Sequence, residues 1–178
     1  MRICFRIEDP ELKIINRINW ICSLLDLNIH EDFIDDFETI VLDARNAEYF
    51  TPEESNQILG VREGWSGLRT LNIKTIYPDL TTKIEKTTGK IVDRMHFYQC
   101  EGNNIKGFQE HVSSIAKRTH RDKCQWAGVI YLWGEAGTYY NGEKIDFKEN
   151  RFIWYDAQEP HAPMASIEDR CVIVVFMS

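Results

Sequence analysis

The segment Thr119-His-Arg-Asp122 and the apolar run Trp126-Ala-Gly-Val-Ile-Tyr-Leu-Trp133 that follows it carry most of the fold prediction. We predict that the apolar run is a strand, because it is rich in β-branched and aromatic residues. Side chains at positions i and i+2 of an extended segment project to the same side, so His120 and Asp122 would face a common point. Taken alone, this pair is better explained as two hydrogen-bonded side chains at the surface than as a metal site.

The composition is that of an ordinary globular protein. The chain has 178 residues, of which 43% are hydrophobic and 28% charged, values typical of soluble domains. This length suits one domain that buries roughly two-thirds of its unfolded surface. The net charge of −7, without a basic stripe, argues against nucleic acid as the principal partner.

The cysteines and the first residues indicate the compartment. The five cysteines are Cys4, Cys22, Cys100, Cys124 and Cys171; an odd number without a C-x-x-C pair favours neither a disulfide framework nor a zinc ribbon. The first seven residues do not make a signal peptide, and no apolar run approaches the roughly 20 residues of a membrane span. We therefore expect a cytoplasmic protein with reduced thiols and no membrane partner.

The first half of the chain has mainly helical signals. Caps, prolines and three- to four-residue apolar spacing predict helices over residues 10–25, 36–49 and 78–87. A short strand is predicted over 29–33. Residues 51–55, Thr-Pro-Glu-Glu-Ser, are interpreted as a polar turn. Residues 1–90 are thus predicted to form a helical N-terminal support region.

From residue 91 onward the sequence has strand character. Short β-prone segments separated by turn signals are typical of an all-β sandwich or barrel. The segments are 92–100, 108–116, 126–133, 144–147, 151–155 and 171–176. Residues 134–142 are interpreted as a turn-rich loop. We predict one domain whose β core spans 91–178.

Two later residues give the opening pair possible partners. His161 lies in a bend between two prolines, a few predicted strands after Asp122. Arg170 opens the last strand on an otherwise apolar face, which is costly unless an anion meets it. The alternative is a simple salt bridge from Arg170 to Glu168 or Asp169.

Two histidines and one aspartate form a ligand set that suits Fe(II) and leaves coordination positions open. Those positions can accept a bidentate 2-oxo acid and dioxygen. The planar fork of an arginine matches a carboxylate in two parallel hydrogen bonds. A distal arginine is therefore what the far carboxylate of 2-oxoglutarate requires.

The pattern of His120-x-Asp122, His161 and Arg170 resembles the HxD…H…R signature of the 2-oxoglutarate/Fe(II)-dependent dioxygenases. The flanking residues 127–132 are similar to the strand that follows HxD in the prolyl-hydroxylase-like branch. The resemblance extends from about residue 108 to the C-terminus.

Two further segments bear on the same resemblance. Residues 152–161 are similar to the strand and bend that lead to the distal histidine of that branch. The loop over residues 65–70 resembles a Gly-Xaa-Arg-Ser loop of small stand-alone members from phages and bacteria. The segment from Asp122 to His161 is short, which implies reduced loops around the substrate. Glu110 stands where some relatives carry a tyrosine.

The resemblance implies a double-stranded β-helix, a jelly roll related to the cupins. It implies that His120, Asp122 and His161 hold Fe(II) as the catalytic centre, with Arg170 and the Tyr131 hydroxyl on 2-oxoglutarate. Dioxygen would then convert 2-oxoglutarate to succinate and CO2 while a substrate is oxidised. Members that halogenate carry a small residue in place of the carboxylate, so Asp122 indicates a hydroxylase.

The primary substrate is less well defined by the sequence. The prolyl-hydroxylase-like resemblance favours a peptide or amino-acid side chain, with a small molecule as the alternative. Arg69, Tyr139 and Trp154 are candidate substrate-binding residues, although loop or core packing explains them as well. Tyr131 could likewise be a core tyrosine.

Two other functions remain open at this point. A catalytically silent jelly roll would bind a partner and keep only the fold, but such proteins usually lose a ligand or the arginine. A cupin-type metalloenzyme would use another metal and no 2-oxo acid, which would leave Arg170 without a purpose.

Overall fold

In a computed structural model, the described residues are 27–60, 67–100, 124–159, 161–164 and 168–178. The predicted helix over 10–25 and the predicted strand over 108–116 lie outside them. The described helices are α1 (Phe37–Asn46), α2 (Pro52–Leu59) and α3 (Pro78–Thr88). The described strands are β1 (Asn28–His30), β2 (Leu68–Arg69), β3 (Val92–Cys100), β4 (Trp126–Trp133), β5 (Thr138–Tyr140), β6 (Glu143–Ile145), β7 (Phe152–Asp156), β8 (His161–Pro163) and β9 (Arg170–Met177).

The strands form two antiparallel sheets. The main sheet has six strands in the order β1-β7-β4-β9-β3-β2, and the minor sheet has three in the order β6-β5-β8. The edge strands β1 and β2 of the main sheet come from the chain before residue 91. The mainly β architecture with few helices is as predicted.

The main sheet is covered on both faces, which explains its long apolar strands. Alternate residues of β9 point to opposite sides. Ile173 and Val175 pack in the cluster that includes Ile40 of α1 and Ile84 of α3; we call this side the outer face. Val172 belongs to the cluster that includes residues of β5 and β6; we call this side the inner face. The inner face and the minor sheet therefore enclose a second core.

Two of the predicted helices are confirmed by the structure. Helix α1 follows Asp36, and α3 begins at a proline and ends at Gly89, whose φ of +67° suits a glycine after a helix. The interpretation of residues 51–55 as a turn is wrong. Thr51 caps α2 through a reciprocal capping box with Glu54, and the helix continues to Leu59.

The turn-rich loop predicted over 134–142 contains strand β5. Asn141 and Gly142 have φ angles of +47° and +86°, as a two-residue turn between antiparallel strands requires. They join Tyr140 to Glu143, which pair directly in the β5–β6 ladder. His161 also begins a strand, β8, rather than lying in an open bend. In the part of the chain that the structure describes, none of the helices combines the length and the apolar character needed to cross a membrane.

Candidate active site

Arg170 lies at one end of the inner face, buried to 4% exposure. It starts β9, where it pairs in register with Cys100 of β3. Gly134, with φ +118°, lies against it: a Cβ there would fall 3.0 Å from the Arg170 Cα. The turn that leaves β4 thus packs over the start of β9 and brings β5 to the arginine.

The guanidinium of Arg170 makes few polar contacts with the described residues. Its Nη2 lies 3.5 Å from the Thr138 hydroxyl, and its carbon lies 5.6 Å from the centre of the Tyr131 ring. Among the described residues, Nε of Arg170 has no hydrogen-bond partner. A buried cation in this state requires an anion from elsewhere.

Thr138 connects Arg170 to Tyr131. The Tyr131 hydroxyl donates to Thr138 Oγ1 over 2.8 Å, and both side chains are at most 2% exposed. Burial raises the pKa of Tyr131, while the Thr138 hydrogen bond and the Arg170 charge oppose the rise. A threonine oxygen accepts at most two hydrogen bonds. Tyr131 and Arg170 approach the two acceptor positions of this oxygen. The Thr138 hydroxyl can therefore donate its own proton to a third group.

His161 stands at the other end of the minor sheet's inner side. It pairs in register with Tyr140, while Pro163 pairs with Thr138. Its Nδ1 lies 2.9 Å from the Glu159 carbonyl. That contact selects the tautomer whose lone pair is on Nε2, the form of a metal ligand. Burial lowers the pKa of His161, with the Glu159 hydrogen bond acting in the opposite sense, so the neutral ring is favoured.

Aromatic side chains fill the space between these two ends. The Tyr155 ring centre lies 4.8 Å from that of Tyr140 and 4.9 Å from that of His161. Tyr155 and Tyr140 are each 2% exposed. On the Arg170 side, Phe147 packs 5.5 Å from Tyr131. The interior is thus lined by aromatic rings, with a cation at one end and an imidazole at the other; we call this region the pocket.

The remaining predicted ligands, His120 and Asp122, lie outside the described residues. Among the residues that are described, no group of three His, Cys, Asp or Glu side chains is arranged to hold a metal ion. The topology still relates the predicted ligands. Strand β4, whose first residue Trp126 comes four positions after Asp122, pairs that residue with Asp156 at the end of β7. The chain then leads from Asp156 to His161, so the described residues on the C-terminal side of the predicted triad, Trp126 and His161, are both connected to this end of the β4–β7 pair.

The candidate substrate residues lie in different places. Arg69 is 5% exposed and pairs in register with Tyr98, which packs against the inner cluster. Trp154 lies on the outer face, where its Nε1 donates to His30 over 3.3 Å. Tyr139 points away from the inner cluster and is 37% exposed. Only Arg69 of these three is brought to the inner face.

Thr138 was missed by the sequence prediction. A single threonine between two tyrosines and a glycine has no pattern that indicates a ligand. It becomes recognisable only when the β4–β5 turn brings it to Arg170.

Several solved structures have a similar fold. A prolyl hydroxylase from Trichoplax adhaerens, in complex with a hypoxia inducible factor peptide fragment, has a TM-score of 0.55 at 13% identity, covering 98% of this chain and 95% of that one. A prolyl-4-hydroxylase from Pseudomonas putida has a TM-score of 0.52 at 11% identity, covering 85% and 91%. An oxidoreductase of the 2OG-Fe(II) oxygenase family from Burkholderia pseudomallei has a TM-score of 0.51 at 11% identity, covering 100% and 95%.

At the level of sequence, no family model and no curated protein matches the chain. The three structural matches nevertheless cover 85% to 100% of the chain. The predicted fold class is therefore confirmed: the chain has the jelly-roll fold of the 2-oxoglutarate oxygenases that resemble prolyl hydroxylases.

Proposed function

We propose that this protein is an Fe(II)- and 2-oxoglutarate-dependent oxygenase, in which His120, Asp122 and His161 hold the metal and Arg170 binds the distal carboxylate. The observation that carries the proposal is the buried, weakly satisfied guanidinium of Arg170. A metal site alone would give no reason for a buried arginine. A dicarboxylate that reaches from Arg170 toward His161 would give one, because only an anion offsets the desolvation of that charge.

The residues at the Arg170 end suit a carboxylate. The guanidinium offers planar donors, and Thr138 adds a hydroxyl proton that neither Tyr131 nor Arg170 uses. Tyr131 would act through Thr138, because its own hydroxyl is already donated there. We therefore assign Tyr131 to orienting Thr138 and to covering the cation, rather than to direct contact as the sequence suggested.

The length of the pocket also suits 2-oxoglutarate. Thr138 and Tyr140 are two residues apart on β5, and Tyr140 pairs with His161. Two residues of a strand span about 7 Å. Four carbon–carbon bonds separate the terminal carbons of a five-carbon dicarboxylate by roughly 5 Å, so such a molecule can bridge the two ends.

When bound, Fe(II), 2-oxoglutarate and dioxygen would supply the oxidative decarboxylation of the 2-oxo acid to succinate and CO2 and the oxidation of a substrate C–H bond. The protein's part is to bind and orient these groups and to exclude water. The buried tyrosines around the pocket serve the last role. Asp122 as the third ligand supports hydroxylation as the outcome.

A peptide, an amino-acid side chain or a small molecule is the proposed substrate class. The likeness to a prolyl hydroxylase that was solved with a peptide supports the first of these. Arg69, buried on the inner face, is the proposed contact to the substrate among the residues named from the sequence.

The proposal is tested by oxygen-dependent succinate formation. Protein loaded with Fe(II) and supplied with 2-oxoglutarate in air should release succinate slowly even without a primary substrate. Asp122→Ala should abolish this release while the variant keeps its circular dichroism spectrum. Asp79→Ala, which removes an exposed aspartate from the first turn of α3 on the outer side of the main sheet, is the matched control and should retain it.

Other outcomes would favour the alternatives. Tight metal binding without any effect of 2-oxoglutarate would favour a cupin-type metalloenzyme. Absence of both metal and 2-oxoglutarate binding would favour a silent jelly roll. Succinate release that survives Asp122→Ala would place the metal elsewhere.

A further inference from the structure

Tyr155 is a buried phenol that the proposed site has not yet used. It is 2% exposed and projects from the inner face between Tyr140 and His161. Burial raises its pKa well above the ordinary range, and no hydrogen bond is among the causes of that shift. Among the described residues, none bonds the Tyr155 hydroxyl.

The hydroxyl of a tyrosine whose ring is buried usually finds a hydrogen-bond partner. Among the described residues, the contacts of Tyr155 with Tyr140 and His161 are made by its ring and not by its hydroxyl. Tyr140 and His161 contact its ring by their own rings, at tilts of 39° and 54°. The ring is thereby held in place while the hydroxyl remains available as a donor.

The location of Tyr155 indicates which group it meets. Arg170 and Thr138 occupy the opposite end of the pocket. Tyr155 contacts His161, the proposed metal ligand, so a group bound beside it is the end of the 2-oxo acid that chelates the metal. That end carries the 1-carboxylate, an acceptor without its own proton at neutral pH.

We infer that the Tyr155 hydroxyl donates a hydrogen bond to the 1-carboxylate of 2-oxoglutarate and so selects a 2-oxo acid over a simple dicarboxylate. This inference rests on the proposed function. It adds a second anion contact, at the metal end of the pocket, to the contact that Arg170 makes with the distal carboxylate. Tyr155 is a binding residue for the cosubstrate in this account.

The test compares two ligands under nitrogen. Succinate keeps the distal carboxylate of 2-oxoglutarate and lacks the 1-carboxylate. Tyr155→Phe should raise the Kd of 2-oxoglutarate 10- to 100-fold, the range of a hydrogen bond to a charged group. It should leave the Kd values of succinate and of Fe(II) within about twofold of wild type. Calorimetry on the Fe(II)-loaded protein measures the Kd values of 2-oxoglutarate and succinate, and titration of the metal-free protein with Fe(II) measures the third.

Tyr77→Phe is the matched control, because Tyr77 packs against the outer core and donates its hydroxyl to Asp43, away from the pocket. It should bind both ligands as the wild type does. A second measurement uses wild-type protein only: 2-oxoglutarate should perturb the tyrosine ultraviolet absorption, and succinate should not.

The outcomes separate this inference from the proposed function. Wild-type protein that binds 2-oxoglutarate, with Tyr155→Phe binding it equally well, would overturn the inference alone. Equal weakening of 2-oxoglutarate and succinate would show that Tyr155 acts through the fold, which also overturns it. Wild-type protein that binds Fe(II) but no 2-oxoglutarate would overturn the proposed function, and the inference with it.

Discussion

At the scale of single residues, the proposal of a 2-oxo acid site rather than a plain metal site depends on Arg170. An arginine at 4% exposure beside Tyr131 and Thr138 is strongly unfavourable in an empty apolar pocket. The same side chain becomes favourable when a carboxylate completes its hydrogen bonds. We therefore expect the affinity for 2-oxoglutarate to depend on Arg170 far more than the affinity for Fe(II) does.

Arg170→Met tests this dependence, since methionine keeps the apolar volume and removes the charge. We expect the Kd of 2-oxoglutarate to rise by about 100-fold, a loss of roughly 3 kcal/mol, while the Fe(II) affinity changes little. Anaerobic titration measures both. Arg151→Lys is the control, because Arg151 pairs with Glu31 away from the pocket. A parallel loss of Fe(II) and 2-oxoglutarate affinity would make Arg170 a structural residue.

The Tyr131–Thr138 hydrogen bond is a second test at this scale. Thr138→Val leaves the buried Tyr131 hydroxyl without its acceptor and should lower the free energy of unfolding by about 1–3 kcal/mol. Tyr131→Phe should cost less, about 0.5–1.5 kcal/mol. The double variant should lose less free energy of unfolding than the sum of the two single losses, because it no longer contains a Tyr131 hydroxyl without an acceptor. Strict additivity in urea unfolding would contradict the pairing.

At the scale of elements, the β5–β6 hairpin holds Thr138 in place. Gly137 approaches β6 so closely that a Cβ would fall 1.8 Å from the Ile145 carbonyl oxygen. Gly142 has open space around it, so only its φ of +86° makes a side chain unfavourable there. The two glycines of one hairpin therefore have different roles.

Substitution of each glycine by alanine separates these roles. Gly142→Ala should destabilise by about 1–2 kcal/mol through backbone strain and leave 2-oxoglutarate binding intact. Gly137→Ala must displace β6 from β5 and should cost more than about 3 kcal/mol, in the range of severe overpacking. It should also weaken 2-oxoglutarate binding, because Thr138 follows directly. Equal effects of the two variants in urea unfolding and ligand titration would refute the packing role of Gly137.

Elements with strong local signals were predictable from the sequence. Helices α1 and α3 and strands β3, β4, β7 and β9 follow from caps, apolar spacing and β-prone runs. Helix α2 was missed because it buries only Ser55 and so lacks apolar periodicity, although Thr51 and Glu54 form a capping box that marks a helix start. Strand β5 was missed although Asn141-Gly142 is a strong hairpin signal.

At the scale of the whole molecule, the two cores have different functions. The outer core fixes the helices on the main sheet, and the inner core is where the buried arginine and tyrosines meet the half-buried His161. His161 and Arg170 could be named from their spacing after Asp122 and from the family resemblance. Thr138 and Tyr155 could not, because their importance comes from contacts between strands that are distant in sequence.

Ligand binding should stabilise the whole fold, since a ligand that binds only the folded state raises its stability. At about 100 times its Kd, 2-oxoglutarate should add about 2.7 kcal/mol to the Fe(II)-loaded protein, which is roughly 5–10 °C in Tm for a chain of this size. A chelator should remove the increase. Differential scanning calorimetry measures it, and an equal increase in Arg170→Met would contradict the proposed site.

The central claim is that one pocket holds Fe(II) and 2-oxoglutarate together. Its most direct test is the visible spectrum of the protein under strict exclusion of oxygen. Addition of 2-oxoglutarate to the Fe(II)-loaded protein should produce a metal-to-ligand charge-transfer band that saturates at one equivalent, and succinate should produce none. Protein that holds Fe(II) and shows no such band at saturating 2-oxoglutarate would contradict the account.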